Sequence, residues 1–233
     1  MSEHISKQFD AELESIRGNV LGMAGLVEEQ FRDAMKALAE GDANLIEKVV
    51  TTEVQVDALH LRIDDECTLM IARRQPAASD LRMVLTVIKV INDLERIGDK
   101  AAKIARRARQ INEAGRVHVP RFRDLEHLAE LATDMLHVAL DGFARLDPSV
   151  AAQVARDDLR LDEEFKGLQR QLITFMMEDP RTISLSLEII EVAKAIERVG
   201  DHAKNVAEYV VYLVKGVDVR HADVETIVRK AAN

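Results

Sequence analysis

Two pairs of acidic residues with the spacing of one helical turn stand out in the sequence, and each pair occurs twice. Glu53 and Asp57 are four residues apart, as are Glu95 and Asp99, so each pair lies on one face of a helix. The same spacing recurs in the second half of the chain, at Asp158, Asp162, Glu197 and Asp201. Clustered carboxylate oxygens are the ligands that hard or borderline metal ions such as Mg, Mn, Ca or Fe prefer.

Each set of four carboxylates should converge because its members are equidistant from a turn. Two antiparallel helices joined by a tight turn bring residues equidistant from that turn to the same height. The midpoint is Pro76 in the first copy and lies between Asp179 and Pro180 in the second. Four like charges at one level repel and raise one another's pKa values unless a cation compensates them. The sequence therefore predicts a divalent or iron-type metal site in each half, although single acidic pairs are also common on solvated helices.

The composition and the turn signals predict long helices. Four Pro and ten Gly in 233 residues, with only 3% aromatic residues, favour packed helices over sheets. Asp42, Asp147 and Asp179 are expected N-cap residues, and Pro follows the last two. The expected helices span 5–40, 43–74, 77–113, 121–146, 148–178 and 181–215, with a short one at 222–231. Residues 115–120 break the helical pattern and form the expected linker.

The chain contains an internal duplication. Shifted by 102 residues, the stretch 87–105 aligns with 189–207, and both contain Glu-Arg-[Ile/Val]-Gly-Asp. The expected fold class is therefore all-α, with two tandem, internally duplicated three-helix bundles. The first covers residues 1–116, and the second covers 117–233 and adds the short C-terminal helix. Gly98 and Gly200 lie on the apolar side of their helices, which indicates that the backbone of another helix approaches closely there.

Charge and hydropathy exclude several classes of protein. A formal net charge of −9 argues against nucleic acid as a partner. No stretch reaches the roughly 18 uncharged residues of a membrane span, and the first residues lack the features of a signal peptide. We therefore expect a cytoplasmic protein without direct membrane insertion. The single cysteine, Cys67, cannot form an intramolecular disulfide, and its apolar neighbours predict a small buried core residue.

The sequence contains few residues arranged for catalysis. Di-metal enzymes of the ferritin type use a Glu-x-x-His ligand set. The nearest match ends at His60, whose counterpart in the second copy is Phe165. No phosphate-binding loop, dinucleotide fingerprint or Ser/His/Asp set is present. A metal-dependent enzyme and a metal buffer are the alternatives to a non-enzymatic role.

Two stretches make the sequence similar to the PhoU family. The first is QPAASDLR at 75–82 followed by LERIGD at 94–99, and the second is IERVGDHAKNVA at 196–207. The resemblance implies two three-helix bundles and metal clusters bound through Glu/Asp-x-x-x-Asp pairs. It also implies an accessory role in phosphate homeostasis, between the ATPase subunit of the phosphate ABC transporter and the phosphate-sensing histidine kinase. Members of the family dampen uptake and the starvation response when phosphate is plentiful, and a homodimer is implied.

The resemblance also suggests particular residues. Asn205 stands where the family prefers Asn and is a further candidate metal ligand, whereas the first copy has Lys103. Lys103 is expected to neutralise Asp99 and to weaken the first metal site. The candidate partner-binding residues are Arg82, Arg96 and Arg198. Charge balance explains the last two equally well.

Overall fold

The computed structural model describes residues 7–113, 122–220 and 222–232. The helices are α1 (Lys7–Glu40), α2 (Ala43–Arg74), α3 (Ala78–Glu113), α4 (Phe122–Arg145), α5 (Val150–Glu178), α6 (Ile183–Lys215) and α7 (Val224–Ala232), with a 3-10 turn at Pro180–Thr182. The predicted helices are confirmed, with small shifts at their ends. The expected linker at 115–120 and the repeat boundary at 116/117 lie outside the described residues. In the described part of the chain, no helix combines the length and the apolar character that crossing a membrane requires.

Of the three aspartates predicted as N-caps, only Asp42 caps a long helix; Ser149 precedes α5, and Asp179 caps the short 3-10 turn before α6. The Asp42 carboxylate accepts hydrogen bonds from two backbone N–H groups in the first turn of α2, which confirms its role as N-cap. Asp147 accepts from the backbone N–H of Ser149 at 2.9 Å, but α5 begins only at Val150 because the two residues before it form a turn. Asp179 accepts from the N–H of Arg181 at 3.1 Å and opens the 3-10 turn that leads into α6.

The two repeats have equivalent cores. A Cβ on Gly98 would lie 3.3 Å from Val56, and a Cβ on Gly200 would lie 2.2 Å from Leu161. Val56 and Leu161 are 105 residues apart, the same offset that relates the acidic residues of α2 and α5. Neighbouring helices do approach both glycines closely, but through side chains and not through the backbone that the sequence predicted. Cys67 is fully buried, as predicted, and burial raises its pKa to about 12.

The repeats pack against each other through α3 and α6. Lys103 of α3 pairs with Glu191 of α6 at 2.7 Å, and Arg107 pairs with Glu188 at 2.8 Å. Residue numbers rise along one helix as they fall along the other, so the two helices are antiparallel. Because α3 and α6 are equivalent elements of the two repeats, this arrangement relates the repeats by an approximate two-fold axis.

A second antiparallel contact joins α1 to α4. The Arg17 guanidinium donates to the carbonyl oxygen of Ala144 near the end of α4, and His137 Nδ1 lies 3.0 Å from Glu28 Oε1. The four helices α1, α3, α4 and α6 therefore form the centre of the molecule. Helices α2 and α5 flank this centre, each packed against the other two helices of its own repeat.

The close approach at Gly200 predicts opposite effects for two glycine substitutions. Gly200→Ala should lower the free energy of unfolding by about 1–3 kcal/mol, because the added methyl group overlaps Leu161 in a packed core. Gly167 of α5 has open space at its Cβ position, so Gly167→Ala should raise stability by up to about 1 kcal/mol through helix propensity. Urea unfolding of both variants measures the difference. Equal stability of the two variants would contradict the packing argument.

Candidate functional site

The first acidic cluster lies between α2 and α3 and is neutralised from within the repeat. Glu53 is half-buried and forms an ion pair with Arg106, which lies two turns beyond Asp99 on α3. Burial raises the pKa of the Glu53 carboxyl, Arg106 opposes this rise, and the charges of Asp99 and Asp57 add to it. The three carboxylates are therefore close enough to interact, as their distances from the turn predicted.

Arg96 compensates the acidic pair on its own helix. Its Nε lies 3.4 Å from Glu95 Oε2, and its Nη1 lies 3.6 Å from Asp99 Oδ2. The side chain is nevertheless 60% exposed, so the guanidinium also faces solvent. The contacts of Arg96 with Glu95 and Asp99 support a role in charge balance. Its exposure also leaves the guanidinium group accessible to a partner.

The second cluster, between α5 and α6, is more buried than the first. Asp158 is only 7% exposed and accepts from Lys204 Nζ at 2.6 Å. Burial raises the pKa of Asp158, Lys204 opposes the rise, and the charges of Asp201 and Asp162 reinforce it. Asp162 is also 3.5 Å from Lys166 on its own helix. The four predicted carboxylates of this repeat again lie within reach of one another's charge.

Glu197 has a carboxylate oxygen without a hydrogen bond. Its Oε2 is buried and has no hydrogen-bond partner, although Arg198 Nε lies 3.5 Å away. Arg198 instead donates through Nη1 to Asp201 Oδ2 at 2.6 Å. Burial raises the pKa of Glu197, and the charge of Asp201 adds to this effect. A buried oxygen that lies among other carboxylates and has no hydrogen bond is the kind of ligand that a metal ion would satisfy.

Neither cluster forms a complete metal site as its side chains stand. Within residues 7–113, 122–220 and 222–232, no three Asp, Glu, His or Cys side chains converge on a position that could hold an ion. The reason is visible in the ion pairs, because arginine and lysine side chains now bind the carboxylates. The residue types fit a metal with oxygen ligands, but their present directions fit internal ion pairs.

The two clusters differ at a residue that sequence reasoning missed. Glu208 is 5% exposed and stands 102 residues after Arg106, so a buried acid replaces the base that neutralises the first cluster. Burial raises the pKa of Glu208 to about 7, and Lys204 partly opposes this rise. It lines a pocket of about 300 Å³ together with Asp201 and Asn205. Extending the 102-residue alignment a few residues further would have revealed this exchange.

Two residues expected at the metal sites instead connect the repeats. Asn205 Nδ2 donates to Asp93 Oδ1 at 3.0 Å, and His202 Nδ1 lies 2.6 Å from the same oxygen. Lys103 pairs with Glu191 of the other repeat. The expectation that Lys103 neutralises Asp99 is therefore wrong, because α6 presents a closer acidic partner. Asp93 was not predicted, since a single acid on a helix has no distinguishing spacing.

Arg82 also lies at the contact between the repeats. A Cβ on Gly216 would be 2.8 Å from Arg82 Nη1, so the guanidinium packs over the last turn of α6. Its Nε is buried without a hydrogen-bond partner. A positive charge at this point is favourable, because the carbonyl groups at the end of a helix carry partial negative charge. This position assigns Arg82 a role within the fold, and only part of its side chain faces solvent.

Comparison with known proteins gives a consistent set of relatives. A family model described as the PhoU domain matches the chain twice, over residues 20–108 and 125–210, and each match contains one acidic cluster. The chain is 48% identical over 222 residues to the phosphate-specific transport system accessory protein PhoU homolog of Pseudomonas aeruginosa, covering 95% of this chain and 91% of that one. It is 45% identical over 221 residues to the accessory protein PhoU of Escherichia coli, with the same coverage of 95% and 91%.

Solved structures share the fold. The crystal structure of PhoU from Pseudomonas aeruginosa superimposes with a TM-score of 0.87 at 47% identity, covering 90% of this chain and 100% of that one. The phosphate transport system regulatory protein PhoU from Streptococcus pneumoniae gives a TM-score of 0.83 at 29% identity, covering 91% and 99%. These matches and the helices described above confirm the all-α, internally duplicated fold.

The buried Glu208 predicts a change in the pH dependence of stability. Its folded-state pKa of about 7 lies above the ordinary value of 4.5, so the folded protein binds more protons and the free energy of unfolding falls as pH rises through this window. Glu208→Gln cannot ionise and should be more stable than the wild type at pH 8, by up to about 3 kcal/mol. At pH 4 the two proteins should be nearly alike.

Urea unfolding at several pH values tests this expectation. Glu163→Gln makes the same chemical change at an exposed position of α5 and should leave the pH dependence as in the wild type. Parallel stability curves for Glu208→Gln and the wild type would show that Glu208 does not titrate in this range.

Proposed function

Because the chain belongs to the PhoU family, we propose that it is a non-enzymatic negative regulator of phosphate uptake and of the phosphate-starvation response. The observation that carries the proposal is the match along nearly the whole chain to accessory proteins of the phosphate-specific transport system. The match extends over both repeats and both acidic clusters. A protein of this kind acts by binding partners, and its function requires no covalent chemistry.

The proposed partners are the ATPase subunit of the phosphate ABC transporter and the phosphate-sensing histidine kinase. The protein would meet them in the cytoplasm, at the inner face of the membrane, and would itself be a homodimer. Two exposed arginine side chains on the α3–α6 face support a docking role. Because Asp93 meets His202 across this contact, Arg96 and Arg198 lie at nearly the same height on the two helices. Both are more than half exposed, at 60% and 51%, so one face presents two accessible guanidinium groups beside acidic residues.

We further propose that the second cluster binds a divalent or iron-type metal ion through Asp158, Asp162, Glu197 and Asp201, with Asn205 nearby. The raised pKa values of Asp158 and Glu197 and the buried Glu197 oxygen that has no hydrogen bond support this assignment. When bound, the ion would supply positive charge that compensates the clustered carboxylates. Lys204 and Arg198 now provide that charge, so their side chains would have to move away from Asp158 and Asp201.

The two clusters should differ in metal affinity. The first contains Arg106 where the second contains Glu208, so the second has one base fewer and one acid more at this position. Asp201→Ala should therefore lower the bound metal more than Asp99→Ala does. Elemental analysis of both variants, purified identically from cells grown with added iron and manganese, measures the difference. Equal losses would show that the exchange at this position has no effect on binding.

The regulatory role and its dependence on the clusters can be tested together in cells. Deleting the gene should leave phosphate-starvation genes active in high phosphate, and restoring the wild-type chain should silence them. A variant with alanine at Asp158, Asp162, Glu197 and Asp201 should remain folded, because four mutually repelling charges are removed together.

The quadruple variant should lose any metal-dependent rise in melting temperature, a stabilisation of about 2.7 kcal/mol at a hundredfold excess over the dissociation constant. It should also fail to silence the starvation genes. A deletion strain with normal regulation would overturn the proposed function. A variant that binds no metal but still silences the starvation genes would be consistent with the regulatory role and would show that this role does not require the metal.

A further inference from the structure

Helices α1 and α4 enclose an open groove on one side of their contact. The groove has a volume of about 650 Å³, and its floor includes Met35 of α1 and Ala129 of α4. The α1 wall carries Arg32 and Lys36, which are one turn apart, and ends at Glu40 one turn further on. The groove therefore combines an apolar floor with a wall that is basic along its first two turns.

The opposite wall is acidic. Helix α4 presents Glu126, Glu130 and Asp134 at successive turns along the same groove. Among the described residues, no hydrogen bond or ion pair joins residues 32–40 of α1 to residues 126–134 of α4. The two rows of opposite charge thus line one groove without pairing directly.

The groove between residues 32–40 of α1 and 126–134 of α4 is one half of the α1–α4 contact, and we call it the open half. The approximate two-fold axis relates it to an equivalent region at the other end of this contact. In that equivalent region, His137 contacts Glu28 and Arg17 donates a hydrogen bond to the Ala144 carbonyl oxygen, so the two helices are joined directly. We call it the closed half. At the 105-residue offset, Thr133 takes the place of Glu28, and Arg32 takes the place of His137. Among the described residues, Arg32 and Thr133 form no hydrogen bond with each other, so the ion pair that joins the helices in the closed half has no counterpart in the open half.

The same difference applies to the second contact. The position equivalent to Arg17 is Phe122, a residue type with no hydrogen-bond donor in its side chain, and the position equivalent to Ala144 is Ala39. The second cross-groove contact of the closed half thus lacks its donor in the open half.

We propose that the open half of the groove binds an amphipathic helix of a partner protein. The acidic wall extends over eight residues, which is about 12 Å or two helical turns. A helix of matching length would place its apolar stripe on the floor, its acidic edge beside Arg32 and Lys36, and its basic edge beside the acidic wall of α4. This is the recognition of a helix in a groove, with the charge rows fixing its orientation.

A synthetic helical peptide tests the recognition directly with the full-length protein. The probe is a peptide of about five turns with leucine and alanine on one stripe, Glu along one edge and Lys along the other; its control carries Gln on both edges. Fluorescence anisotropy should show that the charged peptide binds at least tenfold more tightly than the neutral one. Arg32→Glu combined with Lys36→Glu should remove that advantage, because both walls are then acidic.

A matched variant separates the groove from general charge effects. Arg156→Glu combined with Arg160→Glu makes the same charge change, one turn apart, on the exposed surface of α5. It should leave the binding of the charged peptide unchanged. Equal binding of the two peptides, or equal weakening by the two double variants, would overturn the proposal. This binding assay does not measure repression, so its failure would leave the proposed function unaffected.

Cross-linking in cells identifies the occupant. A photoreactive phenylalanine analogue at Ala39, in the open half, should form an adduct with another protein at a segment whose sequence is amphipathic and acidic along one edge. The same analogue at Ala144, in the closed half, should not, and Arg32→Glu with Lys36→Glu should abolish the Ala39 adduct. No adduct, or an adduct only with a second copy of this chain or within one chain, would overturn the proposal.

Discussion

The antiparallel contact between α3 and α6 is the interaction on which the rest of the structure depends. It joins two equivalent helices across an approximate two-fold axis, so the surface on one helix must complement the equivalent surface on the other. The apolar faces of both helices are fully buried, and ion pairs such as Lys103 with Glu191 border them. This contact sets the height at which both acidic clusters stand and brings them to one face of the molecule.

Much of this arrangement could be predicted from the sequence because it follows from constant helical dimensions. A fixed rise per residue makes distances from a turn sufficient to match Glu53 with Asp99 across the α2–α3 hairpin. Gly98 and Gly200 were identifiable because glycine is unfavourable within a helix unless space is restricted. The helix ends were identifiable wherever a side chain such as Asp42 satisfies free N–H groups.

The partners of the charged side chains could not be predicted in the same way. Periodicity describes one helix at a time, whereas Lys103, Asn205 and Arg82 are directed at the other repeat. Long basic side chains span several ångström, and the acid with which each one pairs depends on how the two repeats pack together. Asp93 illustrates the limit, since its burial and its contact with His202 depend entirely on an interface that no local pattern encodes.

The approximate two-fold symmetry within one chain has an evolutionary consequence. In a dimer of identical subunits every substitution appears on both sides of the axis, so an interface cannot hold an acid on one side and a different residue at the equivalent position. Fusion of the two copies removes this restriction. Asp93 stands opposite Ala195 in the alignment, and Arg106 opposite Glu208, which shows that each copy has accumulated its own substitutions. A duplicated gene can therefore keep a shared core while its two halves specialise independently for different binding tasks.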